Sequence, residues 1–434
     1  MKTRLISVFL VLIVALSASA QQPPLVHPKL GDVTYSTDST LKITFVGQYQ
    51  HFNKSLVETC DSDIFSPKSA NIHPNGTKFY INSLEGCKTV VYDMRTGEKL
   101  KVINHRFETK RDSALFSTPS GLFPFRFYKN NLNTFAGKPV EGTFSHGGRY
   151  FWVPFYRRTF DINAQEPSAM AIIDTRTDST ILVMETGPLP KMVCASHDGK
   201  LMVVSHWGDN TVGVIDISSN NPRDWHYLKY FEIDKKLILN FSLTKPVDRD
   251  NSDGWLLRGT VFTPDDRYLL VGCMGKGGGI AVIDMQEQKY LGRVQGMRAN
   301  VRHLLIRDGW LYLSINRTGY VQRIRLDNFL EAARHMTNKI GKVGGWEECK
   351  VGNGARTIEM SPDGRYIYAA CNIDSKLCVV DTRTMKLVAS VDVDSYPVGL
   401  DVSKDGKNLI TTSQGRGNQG GNAVNVFTVS SADL

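Results

Sequence analysis

The sequence lacks most of the short motifs that identify common enzymes and metal proteins. Its seven cysteines form no Cys-x-x-Cys pair, so neither a structural zinc site nor a covalently attached haem is indicated. It has no Gly-x-Ser-x-Gly elbow, and the glycine-rich run at 275–279 lacks the spacing of a phosphate-binding loop. The sequence therefore predicts no catalytic residue, no metal ligand and no cofactor.

The chain also has little excess of either charge. Its 41% apolar and 22% charged residues are typical of a globular protein and exclude a disordered or fibrous chain. The first twenty residues hold two of the 52 basic residues and none of the 43 acidic ones, which leaves 50 against 43, a net charge of +7. So small an excess over a chain of this length does not predict a nucleic-acid partner.

One segment at the start of the chain has the features of an export signal. Lys2 and Arg4 precede an apolar run at 6–16 and a small-residue segment at 17–20, which is the pattern of a cleavable signal peptide. An uncleaved anchor is the alternative, although the run is short for a membrane span. No later run is long and apolar enough to cross a membrane. We therefore expect residues 1–20 to be removed and the mature protein to be secreted or periplasmic, with no transmembrane segment.

One pattern recurs seven times: a short strand, a polar turn of the Asp-Gly kind, an aromatic or aliphatic strand, and an aliphatic strand that often ends at Asp. The turns at Gly364 and Gly406 are 42 residues apart. Glycine at such a turn accepts a positive φ, and Asp can bond its own backbone. A repeat of about 40–50 residues with four short strands is typical of a β-propeller blade.

The sequence thus predicts an all-β fold, a single seven-bladed β-propeller over residues 21–434. The blades are expected at roughly 60–103, 138–186, 190–234, 257–295, 300–350, 354–393 and 396–430. The last copy contains only three strands, whereas the segment at 41–50 is a strand without a blade. We expect this N-terminal strand to complete the last blade and close the ring.

Two strings are similar to a known repeat. Tyr-Ile-Tyr-Ala-Ala-Cys-Asn at 366–372 and Thr-Val-Gly-Val-Ile-Asp at 211–216 resemble the YVTN family of β-propeller repeats. The likeness extends over about residues 60 to 430 and departs where Ser205 and His206 replace the Thr-Asn pair. The resemblance implies the propeller fold. It implies little about function, because such propellers serve as binding modules, cell-surface proteins and enzymes.

The longest insertions fall in connections that leave one face of a propeller, at 104–138, 155–167, 235–257 and 328–354. Long loops on one face of a repeat scaffold usually mark the binding face. On that side, aligned positions near the start of the innermost strands are cationic in several blades, so they are expected to meet at the channel mouth. The candidate residues are Lys68, Lys191, Arg258, Arg302 and Arg356 in the channel, and Arg157, Arg317, His206 and Trp207 in nearby loops.

Convergent arginine and lysine side chains favour an anionic ligand through charge and forked hydrogen bonds. The alternative is that each cation pairs with a local carboxylate or is simply solvated. The alignment gives Val140 for the second blade, Val301 for the fifth, with Arg302 one residue later, and Val398 for the seventh. His206 and its neighbour Asp209 could also act as an acid and a base or hold a metal, while Trp207 could stack on a sugar.

These features predict an exported binding module or interaction scaffold. Its basic channel mouth would take an anionic small molecule, an acidic glycan or a protein partner. The alternative is a propeller-type enzyme acting on carbohydrate, similar to a uronan lyase or a lactonase. Such a lyase would need a base, for which His206 or Tyr156 is a candidate, beside an arginine that neutralises the substrate carboxylate.

The cysteines leave several pairings open. An exported chain can form disulfides, and an odd number leaves at least one thiol unpaired within the chain. Cys60 with Cys87 is the preferred pair. Cys371 with Cys378 is the second candidate, and Cys349 could compete for Cys371.

Overall fold

The computed structural model describes residues 28–51, 60–238, 240–245, 247, 254–416 and 420–431. The predicted signal peptide lies outside these residues. Within them, seven sheets of four or more strands are arranged as the blades of a propeller. The predicted fold class, a seven-bladed β-propeller closed by an N-terminal strand, is confirmed.

The chain enters the ring through β1 (Val33–Tyr35) and β2 (Leu41–Gln50), which belong to the last blade. The first blade contains β3 (Pro67–Ile72), β4 (Lys78–Ser83), β5 (Lys88–Asp93) and β6 (Lys99–Asn104). The second contains β7 (Arg106–Phe107), β8 (Phe135–Pro139), β9 (Thr143–Ser145), β10 (Tyr150–Arg158), β11 (Ser168–Asp174) and β12 (Ser179–Thr186). The third contains β13 (Pro190–Ala195), β14 (Leu201–His206), β15 (Thr211–Asp216) and β16 (His226–Glu232).

The fourth blade contains β17 (Leu257–Phe262), β18 (Tyr268–Cys273), β19 (Gly279–Asp284) and β20 (Lys289–Gln295). The fifth contains β21 (Val301–Arg307), β22 (Trp310–Ile315) and β23 (Tyr320–Arg325), then helix α1 (Leu326–Arg334), β24 (Ile340–Lys342), which pairs with β20, and β25 (Glu347–Lys350). The sixth contains β26 (Ala355–Met360), β27 (Tyr366–Cys371), β28 (Lys376–Asp381) and β29 (Lys386–Asp392). The seventh contains β30 (Pro397–Val402), β31 (Asn408–Ser413) and β32 (Ala423–Ser431). Short 3-10 turns occupy Ser113–Leu115, His146–Gly148, Pro222–Asp224 and Gly275–Gly277.

The repeated polar turn joins the two inner strands of a blade through a fixed hydrogen-bond pattern. In the sixth blade, the Ser361 hydroxyl donates to Asp363 Oδ1 at 2.5 Å and accepts from the Tyr366 N–H at 2.9 Å. Gly364, with φ of 74°, donates its N–H back to the Ser361 carbonyl at 2.8 Å. Turns at 196–201 and 403–408 repeat this pattern. The recurring sequence therefore specifies a recurring backbone.

The hydrophobic core is divided among the junctions between blades. Seven clusters of buried apolar side chains occur among the described residues, and each joins two neighbouring blades. Between the sixth and seventh blades, for example, Tyr368 and Leu377 pack with Phe45 and Phe427. A four-stranded sheet cannot bury both of its faces alone, so stacking around an axis provides the burial that a single blade lacks.

The N-terminal strand closes the ring as predicted. β2 pairs with β32 in antiparallel fashion from Leu41 opposite Ser431 to Gln50 opposite Ala423. Leu41, Ile43 and Phe45 point into the core, whereas alternate residues are more exposed. The seventh sheet therefore combines the N-terminal strands β1 and β2 with the C-terminal strands β30 to β32.

The aromatic insertion before the second blade forms additional core. Phe107 and Phe135 join the cluster between the first and second blades, and Phe123 joins the cluster between the second and third. Helix α1 inserts Phe329 and Leu330 between the fourth and fifth blades. No helix among the described residues has the length and apolar character needed to cross a membrane.

The predicted disulfides are not present. All seven cysteines are free, including Cys60, which is exposed, and Cys87, which is buried in a turn. Cys371 lies opposite Lys376, and Cys378 lies opposite Ala369. These two thiols are therefore diagonal neighbours across the hairpin and do not face each other directly.

Candidate functional site in the central channel

The innermost strand of six blades carries one extra residue at the same place. In the first, third, fifth and seventh blades, the register with the next strand shifts by one residue. In the fourth and sixth blades, two residues of the innermost strand lie opposite one residue of the next strand. Such a β-bulge turns a side chain out of its normal alternation. The residues at these shifts are Lys68, Lys191, residues 258–259, Arg302, residues 356–357 and Val398.

In each bulge, the residue two positions before the first residue of the bulge has a backbone in the left-handed region. The φ angles lie between 52° and 79° at Ser66, Leu189, Leu256, Asn300, Gly354 and Tyr396. For a leucine or a tyrosine this conformation costs about 1–2 kcal/mol. Backbone strain of this kind persists where the surrounding structure over-determines it, and it concentrates at functional sites.

The neighbouring blade holds the bulged backbone in place. The Ser314 hydroxyl of the fifth blade donates to the Arg356 carbonyl of the sixth at 2.6 Å. In the same way, the Asn82 amide of the first blade donates to the Val140 carbonyl of the second at 2.6 Å. Both bonds are buried, and each fixes the strand end from which a channel residue projects.

The bulges bring cations from five blades together, and three of them lie close to one carboxylate. Oε1 of Glu141, in the link between β8 and β9, lies 4.0 Å from Lys68 Nζ, 3.9 Å from Arg258 Nη1 and 3.8 Å from Arg356 Nη2. All five cations are only 5–7% exposed. We call the following residues the channel cluster: Lys68, Lys191, Glu141, Arg258, Arg302 and Arg356.

In the second and fifth blades, the channel-facing residue is one position later than the sequence alignment predicts. The sequence alignment places Val140 in the second blade, but Val140 is fully buried and donates its N–H to the Pro154 carbonyl, whereas Glu141 reaches the channel. In the fifth blade, Val301 pairs regularly with Ile315, and Arg302 is the bulged residue. The carboxylate at the centre of the cluster is thus a residue that the repeat alignment missed.

The charges in the channel cluster strongly perturb one another. Burial opposes ionisation of Glu141, but the charges of Lys68, Arg258 and the other arginines outweigh it and lower its pKa to about 2. Burial, reinforced by neighbouring arginines, lowers the pKa of Lys68 and of Lys191 well below the usual value. Burial also lowers the pKa of Arg258 to about 9, although Glu141 opposes this shift. Glu141 is therefore ionised and surrounded by an excess of positive charge.

The polar atoms of the channel cluster are incompletely satisfied. Glu141 Oε2, Arg258 Nε and Nη1, and Arg356 Nε and Nη2 are buried and have no hydrogen-bond partner among the described residues. The ion-pair distances of 3.8–4.0 Å exceed the length of a charged hydrogen bond, about 2.7–2.9 Å. A buried polar group without a partner costs about 1–3 kcal/mol, and a charged group costs more.

A cavity of about 70 Å³ lies beside these atoms. One water molecule needs at least about 10–15 Å³ by this measure, so the cavity has room for a small ion of several heavy atoms. Residues from all seven blades line it. The polar and charged lining residues are Ser69, Asn71, Glu141, Arg258, Arg302, His303, Arg356, Thr357 and Glu359.

Two aromatic rings cover the cluster on the loop-rich face. The guanidinium of Arg258 lies 3.9 Å from the centre of the Trp207 ring, and Lys191 Nζ lies 4.9 Å from it. Lys191 Nζ is also 4.0 Å from the centre of the Tyr156 ring. Cation–π contacts of this type orient the cations without neutralising them. Trp207 therefore contacts two predicted ligand-binding cations directly.

A pair of carboxyl groups lies farther along the same strands. Burial, with the neighbouring Asp401, raises the pKa of Glu359 well above its usual value. Burial also raises the pKa of Asp401 to about 7, although the N–H groups of Ile72 and Val402 donate to it at 2.6 and 2.8 Å. No sequence pattern singled out this pair, because each carboxyl belongs to a different blade.

Three of the predicted loop residues lie elsewhere. His206 is buried, and its ring hydrogen-bonds to the Gly187 N–H at 3.1 Å and to Thr211 Oγ1 at 2.8 Å; burial lowers its pKa to about 3. Arg157 donates to two carbonyls of its own loop, and Arg317 is exposed. The fold uses His206 as a structural residue, since strand β14 turns its side chain between sheets. Within the described residues, no group of three or more His, Cys, Asp or Glu side chains is placed to hold a metal ion.

Comparisons with known proteins identify the fold. No protein-family model and no curated protein matches the chain. A structure described as Kuenenia stuttgartiensis hydrazine synthase is similar over 88% of this chain and 100% of its own, with a TM-score of 0.59 and 14% identity. The Cps50 (Swd1) β-propeller domain of Myceliophteria thermophila is similar over 84% of this chain and 97% of its own, with a TM-score of 0.57 and 10% identity. At such identities the likeness supports the β-propeller fold alone, and the resemblance to YVTN repeats stays a prediction.

Proposed function

We propose that this protein is an exported, YVTN-type β-propeller that binds a small anion in its central channel. The observation that carries the proposal is the channel cluster. It holds five buried cations from five blades, three of them within about 4 Å of a single carboxylate, next to a cavity and with unpartnered guanidinium nitrogens. The signal-peptide pattern supports the exported location, and the strings at 211–216 and 366–372 support the repeat family.

The positive charges of the channel cluster exceed its negative charge. Even with both lysine amines neutral, three guanidinium groups against one carboxylate leave two positive charges unbalanced in a buried site. Buried charges are stable only when they are paired and hydrogen-bonded. An anion in the cavity would supply both the missing charge and the missing acceptors. Electrostatic stabilisation by oriented arginines is strong where water is excluded.

The geometry supports a small ligand over the larger ones that the sequence suggested. A cavity of about 70 Å³ is too small for a sugar ring, since drug-sized pockets are about 300 Å³ or more. The lyase alternative loses one of its two candidate bases, because both ring nitrogens of His206 are engaged in hydrogen bonds. The other candidate, Tyr156, packs its ring against Lys191. An acidic glycan or a protein could still bind the outer loops, but the channel cluster is not needed for that.

Isothermal titration calorimetry tests the proposal with sulfate, phosphate and glucuronate as probes at low ionic strength. We expect a divalent oxyanion to bind with one site per chain, and glucuronate to bind weakly or not at all. Arg356→Gln should weaken oxyanion binding at least about tenfold, because it removes a charged hydrogen bond. Arg317→Gln is the matched control, since Arg317 is exposed and outside the cluster. Absence of anion binding, or an equal loss in both variants, would contradict the proposal.

A further inference from the structure

The unpartnered atoms of the channel cluster are of two opposite kinds, and this bears on which anion fits. Arg258 and Arg356 present buried N–H donors, whereas Glu141 Oε2 is a buried acceptor. Glu141 is ionised, so its oxygen can only accept. A ligand that satisfies the whole cluster must therefore accept hydrogen bonds from guanidinium groups and donate one to a carboxylate.

Size and charge narrow the choice further. The cavity accommodates an ion of about five heavy atoms, by comparison with the volume that one water requires. Three guanidinium groups and one carboxylate call for about two negative charges. Tetrahedral oxyanions meet both conditions, but sulfate carries no proton near neutral pH. Hydrogen phosphate carries two negative charges and keeps one O–H group.

This inference rests on the proposed anion site. We propose that the channel ligand is free hydrogen phosphate, which accepts from Arg258 and Arg356 and donates its own O–H group to Glu141. Sulfate in the same position would set one of its oxygens against the Glu141 carboxylate, with no hydrogen between them. Two buried acceptors facing each other lose a hydrogen bond and repel, so the carboxylate excludes sulfate while the arginines attract both ions.

Other titratable groups at the cavity are compatible with this arrangement. The Ile358 N–H donates to His303 Nδ1 at 3.3 Å, which leaves the proton of the neutral ring on Nε2. Burial lowers the pKa of His303 to about 4, so the ring is neutral. Glu359 also lines the cavity, and burial beside Asp401 raises its pKa well above the usual value. The neutral His303 ring adds no charge, and the raised pKa of Glu359 opposes a second negative charge beside the dianion.

Calorimetric titration of the full-length mature chain at pH 7.5 tests this inference with phosphate, arsenate, sulfate and methyl phosphate. Arsenate has the shape and the proton of phosphate, so both should bind at least about tenfold more tightly than sulfate. Methyl phosphate distinguishes a phosphate monoester from free phosphate. Its binding as tightly as phosphate would overturn the assignment of the free ion.

Glu141→Gln provides a second readout. The glutamine amide can donate to sulfate, so the ratio of phosphate to sulfate affinity should fall toward one. Equal binding of sulfate and phosphate by the unaltered protein would refute the selectivity and leave the anion site intact. Binding of neither ion would refute the anion site itself. Because the comparison of ions in the unaltered protein needs no variant, a Glu141→Gln chain that fails to fold does not remove the test.

Discussion

Glu141→Gln removes the single carboxylate of the channel cluster while it keeps the size of the side chain. Three cations lie 3.8–4.0 Å from Glu141 Oε1, and an ion pair at about 4 Å is worth about 4 kcal/mol in a medium of effective dielectric constant about 20. Burial of the same groups offsets most of this attraction. Removing one partner of a buried ion pair typically costs about 3–5 kcal/mol, so we expect a loss of that size in the free energy of unfolding.

The loss should depend on the anion in solution. If the channel binds an oxyanion, sulfate, which the Glu141 carboxylate excludes from the unaltered protein, can enter the variant and replace the missing charge. Sulfate at one hundred times its Kd restores about 2.7 kcal/mol. Urea unfolding followed by tryptophan fluorescence, in chloride and in phosphate or sulfate at equal ionic strength, measures both effects. Sulfate and phosphate stabilise proteins in general, so the unaltered protein has to be measured in the same buffers.

Glu331→Gln is the matched control. Glu331 pairs with Arg334 at 2.8 Å on the exposed surface of α1, where an ion pair contributes about 0.5 kcal/mol or less. A Glu141→Gln chain as stable as the unaltered protein would refute the buried ion-pair reasoning. A loss of equal size in chloride and in sulfate would show that Glu141 is only a structural partner of the cations.

Four further results are expected. Because the pKa values of Lys68 and Lys191 are lowered in the folded chain relative to the unfolded one, the unfolded state binds more protons, and stability without anion should rise with pH toward the usual lysine pKa of 10.5. An anion raises these pKa values against the opposing arginines of the channel cluster, so its binding should take up protons and weaken with rising pH, as titrations in buffers of different ionisation enthalpy would reveal. Trp207→Leu removes the ring 3.9 Å from Arg258 and should weaken anion binding severalfold, with little change in the urea midpoint, as calorimetry and denaturation together would show. Phe45→Ala deletes a ring that is 2% exposed and 5.2 Å from that of Phe427, and the urea midpoint should reflect a loss of about 3–5 kcal/mol as the closing strand loosens.

The repeat made the fold predictable from the sequence. The Ser-x-Asp-Gly turn at 361–364 recurs in other blades, and its hydrogen bonds are local, so the residues that specify it are adjacent in the chain. The closing strand was also predictable. The segment at 41–50 is a strand that belongs to no repeat copy, and the last repeat copy, near the other end of the sequence, is one strand short. Local sequence patterns were therefore sufficient to predict most of the architecture.

The site was only partly predictable, because its geometry depends on contacts between blades. The alignment found four of the five cations, but it gave Val301 for the fifth blade, where the bulge turns Arg302 inward. Glu141 lies in an irregular link between β8 and β9, where no repeat pattern applies. His206 matched the chemistry of a base, yet its strand directs the ring into the protein. The position of the extra residue in a bulge follows from how the strands pair in the fold and cannot be read from the sequence of one repeat.

The bulges also make the channel wall adaptable. Since the extra residue, and not its chemical type, fixes which side chain faces the axis, a substitution there changes the lumen without altering the scaffold. Val398 illustrates this, because it occupies the bulge of the seventh blade and is neutral where five other blades present a cation. Each bulge is a channel position whose side chain can be exchanged. Val398→Arg should therefore make the channel favour a more highly charged ligand, and Lys68→Met a less highly charged one.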